Sequence, residues 1–265
     1  MRIARFSIDG TVGFGVVEGD RSATAPADAD DLVLDIIKGH PFGDFTTTGR
    51  KVPLGKVRLL PPVLPSKVVA IGRNYAEHAA ELGNEVPERP IAFFKPSTSV
   101  IGPGDPITYP AFSTEVHHEA ELAVVIGRMC REVPPERVPD VILGYTCAND
   151  ITARDVQKAE KQWARAKGFD GSCPLGPWIE TALDPADLAI TCTVNGELRQ
   201  AGRTAEMIHS ISDLIVHITE AMTLLPGDVL LTGTPAGVGP VTAGDEVAVS
   251  IEGIGTLTNQ VVSRS

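Results

Sequence analysis

Six short runs of apolar and β-branched residues constrain this chain most: VVAIG from Val68, IAFFKP from Ile91, EAELAVVIG from Glu119, ILGYTCAND from Ile142, LAITCTVNG from Leu188 and DEVAVSIEG from Asp245. Each is closed by Gly, Pro or Asn-Asp at the length of a strand rather than of a helix. Among these runs, from Lys67 onward, helical periodicity is convincing in two longer stretches, about 153–166 and 204–224. In the second, Met207, Ile208, Ile211, Leu214, Ile215, Ile218 and Met222 recur at helical spacing. Strands and helices do not alternate regularly, which argues against a doubly wound sheet and for an α+β, β-dominated fold.

Ahead of these runs, residues 1–58 read as a small N-terminal α+β domain. They form a β-hairpin turning at Asp9-Gly10, a second turn near Gly19-Asp20, and a short helix over 32–38. The segment LPPVLP at 60–65 is stiff, because each proline fixes φ and holds its predecessor extended, so the boundary falls there and residues 59–265 form the main domain.

With 34 acidic against 23 basic residues the net charge is −11, so the chain lacks the basic surface that nucleic acid requires. The four cysteines are widely spaced and read as buried or idle thiols. The start alternates apolar and polar residues rather than building a leader, and no run reaches the roughly 18 apolar residues of a membrane span. The expectation is a soluble, cytoplasmic protein in a reducing compartment.

In HHEAELAVVIG, Glu119 and Glu121 lie two apart in a strand pattern and share a face, roughly 7 Å apart along the backbone. Two like charges there repel unless a hard, oxygen-preferring cation lies between them. Asp150, ending VILGYTCAND at a strand mouth, is a third oxygen donor. Spacing alone leaves open a solvent-facing glutamate pair and an aspartate that merely caps the next helix. The company decides for the metal reading: Ala123 and Val125 continue the Glu121 face, marking it as buried, where unpaired carboxylates are costly. His117 and His118, just before the strand, read as hydrogen-bonding neighbours rather than ligands.

These motifs also occur in company. GRNYAEHAAELG from Gly72, FFKPSTSVIGPGDPI from Phe93, HHEAELAVVIG, GYTCANDITARDVQ, KGFDGSCPLGPW and LLPGDVLLTGTPAGVGP follow one another over about 63–262. In this order they resemble the fumarylacetoacetate hydrolase family. The resemblance implies a β-rich mixed β-sandwich roll, a homodimer, and a Mg²⁺ or Mn²⁺ site on Glu119, Glu121 and Asp150. It further implies a hydrogen-bonded His78–Glu81 dyad on a lid helix, an active-site Lys167, and polar contacts from Arg154 and Gln157. Arg73 and Tyr75 of the GRNY segment are carried over as substrate-binding positions, and Gly233 and Thr234 as a carboxylate-binding loop. Lys95 belongs to the pattern without an assigned role.

Arg73 and Asn74 stand where the long fumarylacetoacetases have a further metal-binding aspartate, which places the chain with the shorter branch of acylpyruvate hydrolases, oxaloacetate decarboxylases and 2-hydroxyhepta-2,4-diene-1,7-dioate isomerases. The resemblance thus implies a metal-dependent enzyme acting on a small 2-oxo or 2-hydroxy-2-enoic acid through an enolate stabilised by the cation. Carbon–carbon cleavage of an acylpyruvate or oxaloacetate is favoured over isomerisation of the dienedioate in aromatic catabolism. A binding module that kept the fold but lost its chemistry is the non-enzymatic alternative, opposed by the intact set of polar residues. Zinc is disfavoured by an all-carboxylate face.

Overall fold

The strand Ala120–Ile126 is buried at all seven positions and organises the rest. The computed structural model describes residues 1–19, 32–81 and 83–264. Ala120–Ile126 pairs antiparallel with Ile142–Asn149 on one side and Val229–Leu231 on the other. The sheet continues through Val68–Gly72, parallel to Val229–Leu231, to Ile91–Lys95. In the other direction it runs through Cys173–Glu180 into the N-terminal strands Arg2–Ile8, Thr11–Glu18, Val33–Gly39 and Phe45–Pro53. Twelve strands belong to this sheet among the described residues.

Both faces are covered, which explains a near-continuous apolar sequence. Leu122, Val124 and Ile126 face a core shared with Ile190, Val249 and Leu257 of a five-stranded sheet and with Leu214, Ile215 and Ile218 of a helix. Ala123 and Val125 face a second cluster with Val68, Ala70, Leu175 and Leu231. Glu121 stands on this second face, in line with the sequence reading that its side of the strand is buried.

Glu119 is buried as well, but it departs from the expectation of a shared strand face. It precedes the strand, at the joint where Val116–His118, in a three-stranded sheet with Thr152–Ala153 and Gly239–Pro240, passes into Ala120–Ile126. The β-dominated α+β roll is as expected, but three helical expectations need correction. Residues 32–38 form a strand, Val33–Gly39, because neighbours on both sides satisfy its backbone and Asp35 accepts the Gly49 N–H at 2.9 Å. The helix over 153–166 divides into Arg154–Ala159 and Ala164–Lys167, and the turn between them packs Trp163 edge-on to Phe93. The helix over 204–224 shortens to Ile211–Ala221. Ser210 caps it by accepting the Asp213 N–H while Asp213 accepts the Ser210 N–H, a device worth about 1 kcal/mol. The hairpin turn at Asp9-Gly10 is present with both residues at positive φ, whereas the turn near Gly19-Asp20 extends beyond the described residues.

Candidate metal centre and cavity

Strand register brings the acids together. Ala120 is opposite Asn149, so Glu119 and Asp150 meet just past the end of the ladder, where the Asp150 N–H donates to the Glu119 carbonyl at 2.8 Å. The Glu119 N–H in turn donates to the Asn149 side chain at 2.9 Å. Oxygens of Glu119, Glu121 and Asp150 lie within 4.8 Å of one another, and the three residues are 4%, 1% and 1% exposed. They floor a cavity of about 310 Å³ that is also lined by Arg73, His78, Phe93, Arg154, Gln157, Trp163, Lys167 and Thr234.

Isolated carboxylates at this depth would not stay charged. Lys167 Nζ donates to Glu119 at 2.6 Å and to Asp150 at 2.7 Å, and Arg154 donates to the other Glu119 oxygen at 2.5 Å and to Gln157 at 2.6 Å. Lys95 Nζ donates to Asp150 at 2.6 Å and to the Lys167 carbonyl. Burial by itself would raise the Glu119 carboxyl, but Lys167 and Arg154 outweigh it and hold the group well below the usual carboxylate range. Lys167 is likewise depressed by burial yet held above its ordinary value by Asp150 and Glu119, so it remains an ammonium.

Among the described residues Glu121 has no cationic side chain bonded to it. Its described hydrogen bond is from the Gly233 N–H at 2.7 Å, and burial, then Asp150 and Glu119, push it well above the ordinary value. A cluster of three hard oxygen donors, one of them pushed toward its protonated form for want of positive charge, fits a divalent cation of the Mg²⁺ or Mn²⁺ type.

His78 lies on the short helix Ala76–Glu81, its Nδ1 3.4 Å from Glu81. Glu81 also accepts the Gly237 N–H, at 3.1 and 3.3 Å to its two oxygens. Burial lowers the imidazole below its ordinary 6.5 despite the opposing pull of Glu119 and Glu81, so His78 is neutral at pH 7. Most residues singled out in the sequence therefore converge here. Tyr75 does not line the cavity: it is 2% exposed, and its hydroxyl has no hydrogen-bond partner among the described residues. Gly233 holds Glu121, while Thr234 lines the wall and accepts from Gln200 at 2.8 Å. His117 and His118 stay outside the acidic cluster; His118 bonds Gln200 at 3.0 Å and His117 bonds Glu115 at 3.1 Å.

Sequence reasoning missed Gln200 altogether. Fully buried, it ties the Ala120 N–H, His118, Thr234 and the Pro235 carbonyl into one brace behind the site. Its run, ELRQAGR, looks like a solvent-facing strand, and six of its seven positions are not buried. Trp163 was missed too, though Gly72 is a signal for it: a Cβ there would come within 2.9 Å of the indole ring.

A concave, half-enclosed site of this size, floored by acids and walled by cations, is built for small charged molecules. Residues 67–262 match the family described as fumarylacetoacetate (FAA) hydrolase C-terminal, and residues 1–62 match Rv2993c-like, N-terminal. The chain belongs to the fumarylacetoacetate hydrolase family. It is 51% identical to Protein Rv2993c of Mycobacterium tuberculosis, over 100% of this chain and 99% of that one. It is 47% identical to oxaloacetate tautomerase YcgM of Escherichia coli, over 74% of this chain and 93% of that one. Among solved structures, 2-hydroxyhepta-2,4-diene-1,7-dioate isomerase from Mycobacterium marinum has a TM-score of 0.92 at 48% identity, covering 100% and 99% of the two chains. Fumarylpyruvate hydrolase from Pseudomonas aeruginosa, solved with Mn²⁺ and pyruvate, has a TM-score of 0.72 at 32% identity, covering 78% and 92%.

Proposed function

We propose that this protein is a divalent-metal-dependent enzyme that shifts protons between the keto and enol forms of a short 2-oxo acid, with oxaloacetate as the first substrate to try. The observation that carries the reading is the buried triad Glu119, Glu121 and Asp150, open to a cavity that also presents a neutral His78. Relatives named as a tautomerase and a dienedioate isomerase favour proton transfer over the bond cleavage preferred from the sequence.

Glu119, Glu121 and Asp150 would hold Mg²⁺ or Mn²⁺, which when bound supplies Lewis acidity toward the carboxylate and 2-oxo oxygens of a chelating acid. His78 takes a proton from the carbon next to the 2-oxo group. Its Nδ1 faces Glu81, which leaves Nε2 as the atom that gains and returns the proton. Glu81 fixes the tautomer and supports the imidazolium that forms. The Lys167 ammonium offsets negative charge as it grows on the substrate oxygen, in a setting shielded from water where such an interaction is strong. Arg154 and Gln157 restrict how the acid lies against the floor.

A second reading is carbon–carbon hydrolysis of an acylpyruvate, with the His78–Glu81 pair activating water. Its support is that same pair together with the hydrolase relative solved with Mn²⁺ and pyruvate. One assay separates them. Enol-oxaloacetate, acetylpyruvate and 2-hydroxyhepta-2,4-diene-1,7-dioate are each supplied with and without Mg²⁺ or Mn²⁺, following enol absorbance and released products. Metal-dependent loss of the oxaloacetate enol without pyruvate or carbon dioxide supports the tautomerase; product release from oxaloacetate or acetylpyruvate supports cleavage. No metal-dependent change with any of the three defeats both.

A further inference from the structure

The strand Ala120–Ile126 parts from its neighbour at the cavity. The last backbone rung beyond its pairing with Val229–Leu231 is the Thr232 N–H donating to the Leu122 carbonyl at 3.1 Å, and pairing resumes at His118 opposite Gly239. Between those points segment 233–238 is longer than segment 119–121, so the two cannot keep a ladder and their backbone groups need other partners. The Gly233 N–H goes to Glu121, and Gln200 serves two more, the Ala120 N–H and the Pro235 carbonyl. Gln200 comes from Glu197–Arg203, the edge strand of the five-stranded sheet, where a bulge sets Cys192 opposite Gln200 but Thr193 opposite Leu198. Bulges re-aim side chains, and Gln200, the one buried residue of that strand, reaches into the gap.

Its amide fits there in one orientation. A backbone N–H can only donate and a carbonyl can only accept, so Oε1 faces Ala120 at 3.0 Å and Nε2 faces Pro235 at 2.8 Å. Two further contacts inherit that polarity. Oε1 also meets His118 Nδ1 at 3.0 Å, which must therefore carry the ring proton, and the second Nε2 hydrogen goes to Thr234 Oγ1 at 2.8 Å. Thr234 is thus the acceptor toward Gln200. Its own proton has no acceptor among the described residues, and Thr234 lines the cavity.

We infer that Gln200 is a positioning residue, which commits the Thr234 hydroxyl to donate into the cavity toward an anionic oxygen of the bound acid. This role presupposes a bound 2-oxo acid and so rests on the functional reading above. A hydroxyl that could turn back to donate to its own support would lose part of its bond to the ligand. With the support supplying an N–H instead, the donor is set before the ligand arrives.

A first test needs no substitution. In the full chain labelled with ¹⁵N-histidine, nuclear magnetic resonance should find the His118 ring proton on Nδ1; a neutral ring protonated on Nε2 reverses the amide and overturns the inference. A second titrates pyruvate into the Mn²⁺-loaded chain by calorimetry. Thr234→Val should weaken pyruvate about 10-fold, the worth of one hydrogen bond to a charged group, and Thr234→Ser should restore it. Gln200→Glu still accepts from Ala120 and His118 but turns an oxygen toward Thr234, which draws the hydroxyl proton away from the ligand. It should weaken pyruvate by a similar factor and retain Mn²⁺ affinity, and adding Thr234→Val should weaken pyruvate no further. Additive losses, or full pyruvate affinity in Gln200→Glu, overturn the inference and leave the functional reading standing. If Gln200→Glu does not fold, the position of the His118 proton decides alone. Wild type that binds no pyruvate with Mn²⁺ present overturns both.

Discussion

Lys95 donates to Asp150 at 2.6 Å with both side chains sealed from solvent, at 0% and 1% exposure. Removing one partner of such a pair strands the other charge. Lys95→Met should therefore destabilise the metal-free protein by about 3 kcal/mol, and Mn²⁺ should restore much of the loss by supplying the missing positive charge. Thermal unfolding with and without Mn²⁺ measures this. An unchanged midpoint in the metal-free variant would show that Lys167 alone satisfies Asp150.

Glu121 is the contrasting acid. Burial, then Asp150 and Glu119, push its carboxyl well above the usual carboxylate range in the metal-free fold. Above the ordinary carboxylate value of 4.5 the unfolded chain releases this proton while the folded chain retains it. Glu121 therefore makes metal-free stability fall as pH rises, until its own raised value is passed. Glu121→Gln, an uncharged mimic of the protonated acid, should change metal-free stability at about pH 5 by less than about 1 kcal/mol while removing stabilisation by Mn²⁺. Denaturant unfolding with a metal titration reads both, and retained Mn²⁺ stabilisation would remove Glu121 from the ligand set.

His78 should set the acid limb of the reaction. Burial lowers its pKa from 6.5, so it stays a free base through pH 6.5 and loses that role only at lower pH. The acid limb of kcat/KM should lie below pH 6.5. His78→Ala should cost about 10²- to 10⁴-fold in turnover while sparing Mn²⁺ binding, whereas Asp150→Ala should lose both. A limb above pH 6.5, or full activity in His78→Ala, would remove His78 as the base.

Gly237 should matter through Glu81. Its φ is 95° and a Cβ would come within 2.2 Å of the Arg199 carbonyl, so Gly237→Ala must displace the N–H that Glu81 accepts. Turnover should fall roughly 10-fold or more with Mn²⁺ affinity unchanged, and combining it with Glu81→Ala should add little, because both act on one contact. Additive losses would place the effect of Gly237 elsewhere.

The parts of the site legible in the sequence were those with a local signature: two acids two apart beside an apolar strand, and an aspartate at a strand end. That Glu119 lies at a joint between sheets was hidden, because a break of one residue leaves the alternating pattern intact. Gln200 was hidden for a different reason. Its burial depends on His118, Thr234 and Pro235, which lie between 34 and 82 residues away in the chain. The strand Val33–Gly39 reads as a helix in the sequence because a run as short as VLDIIKG has no decisive period, and its partners on both sides settle its form. Helix 211–221, by contrast, announced its true start through Ser210 and Asp213, a capping signal that the broader apolar stripe obscured.

The pairing of Ala120 with Asn149 has a further consequence for how such a site can change. A slip of one residue in either strand would turn every side chain to the opposite face and take the acids apart, so the cavity floor is tied to the whole sheet. Its walls are not. Arg73, His78, Gln157 and Trp163 come from segments outside that ladder, where substitutions leave the register untouched. A protein built this way can exchange one small acid for another by altering its margins while its reactive centre stays fixed.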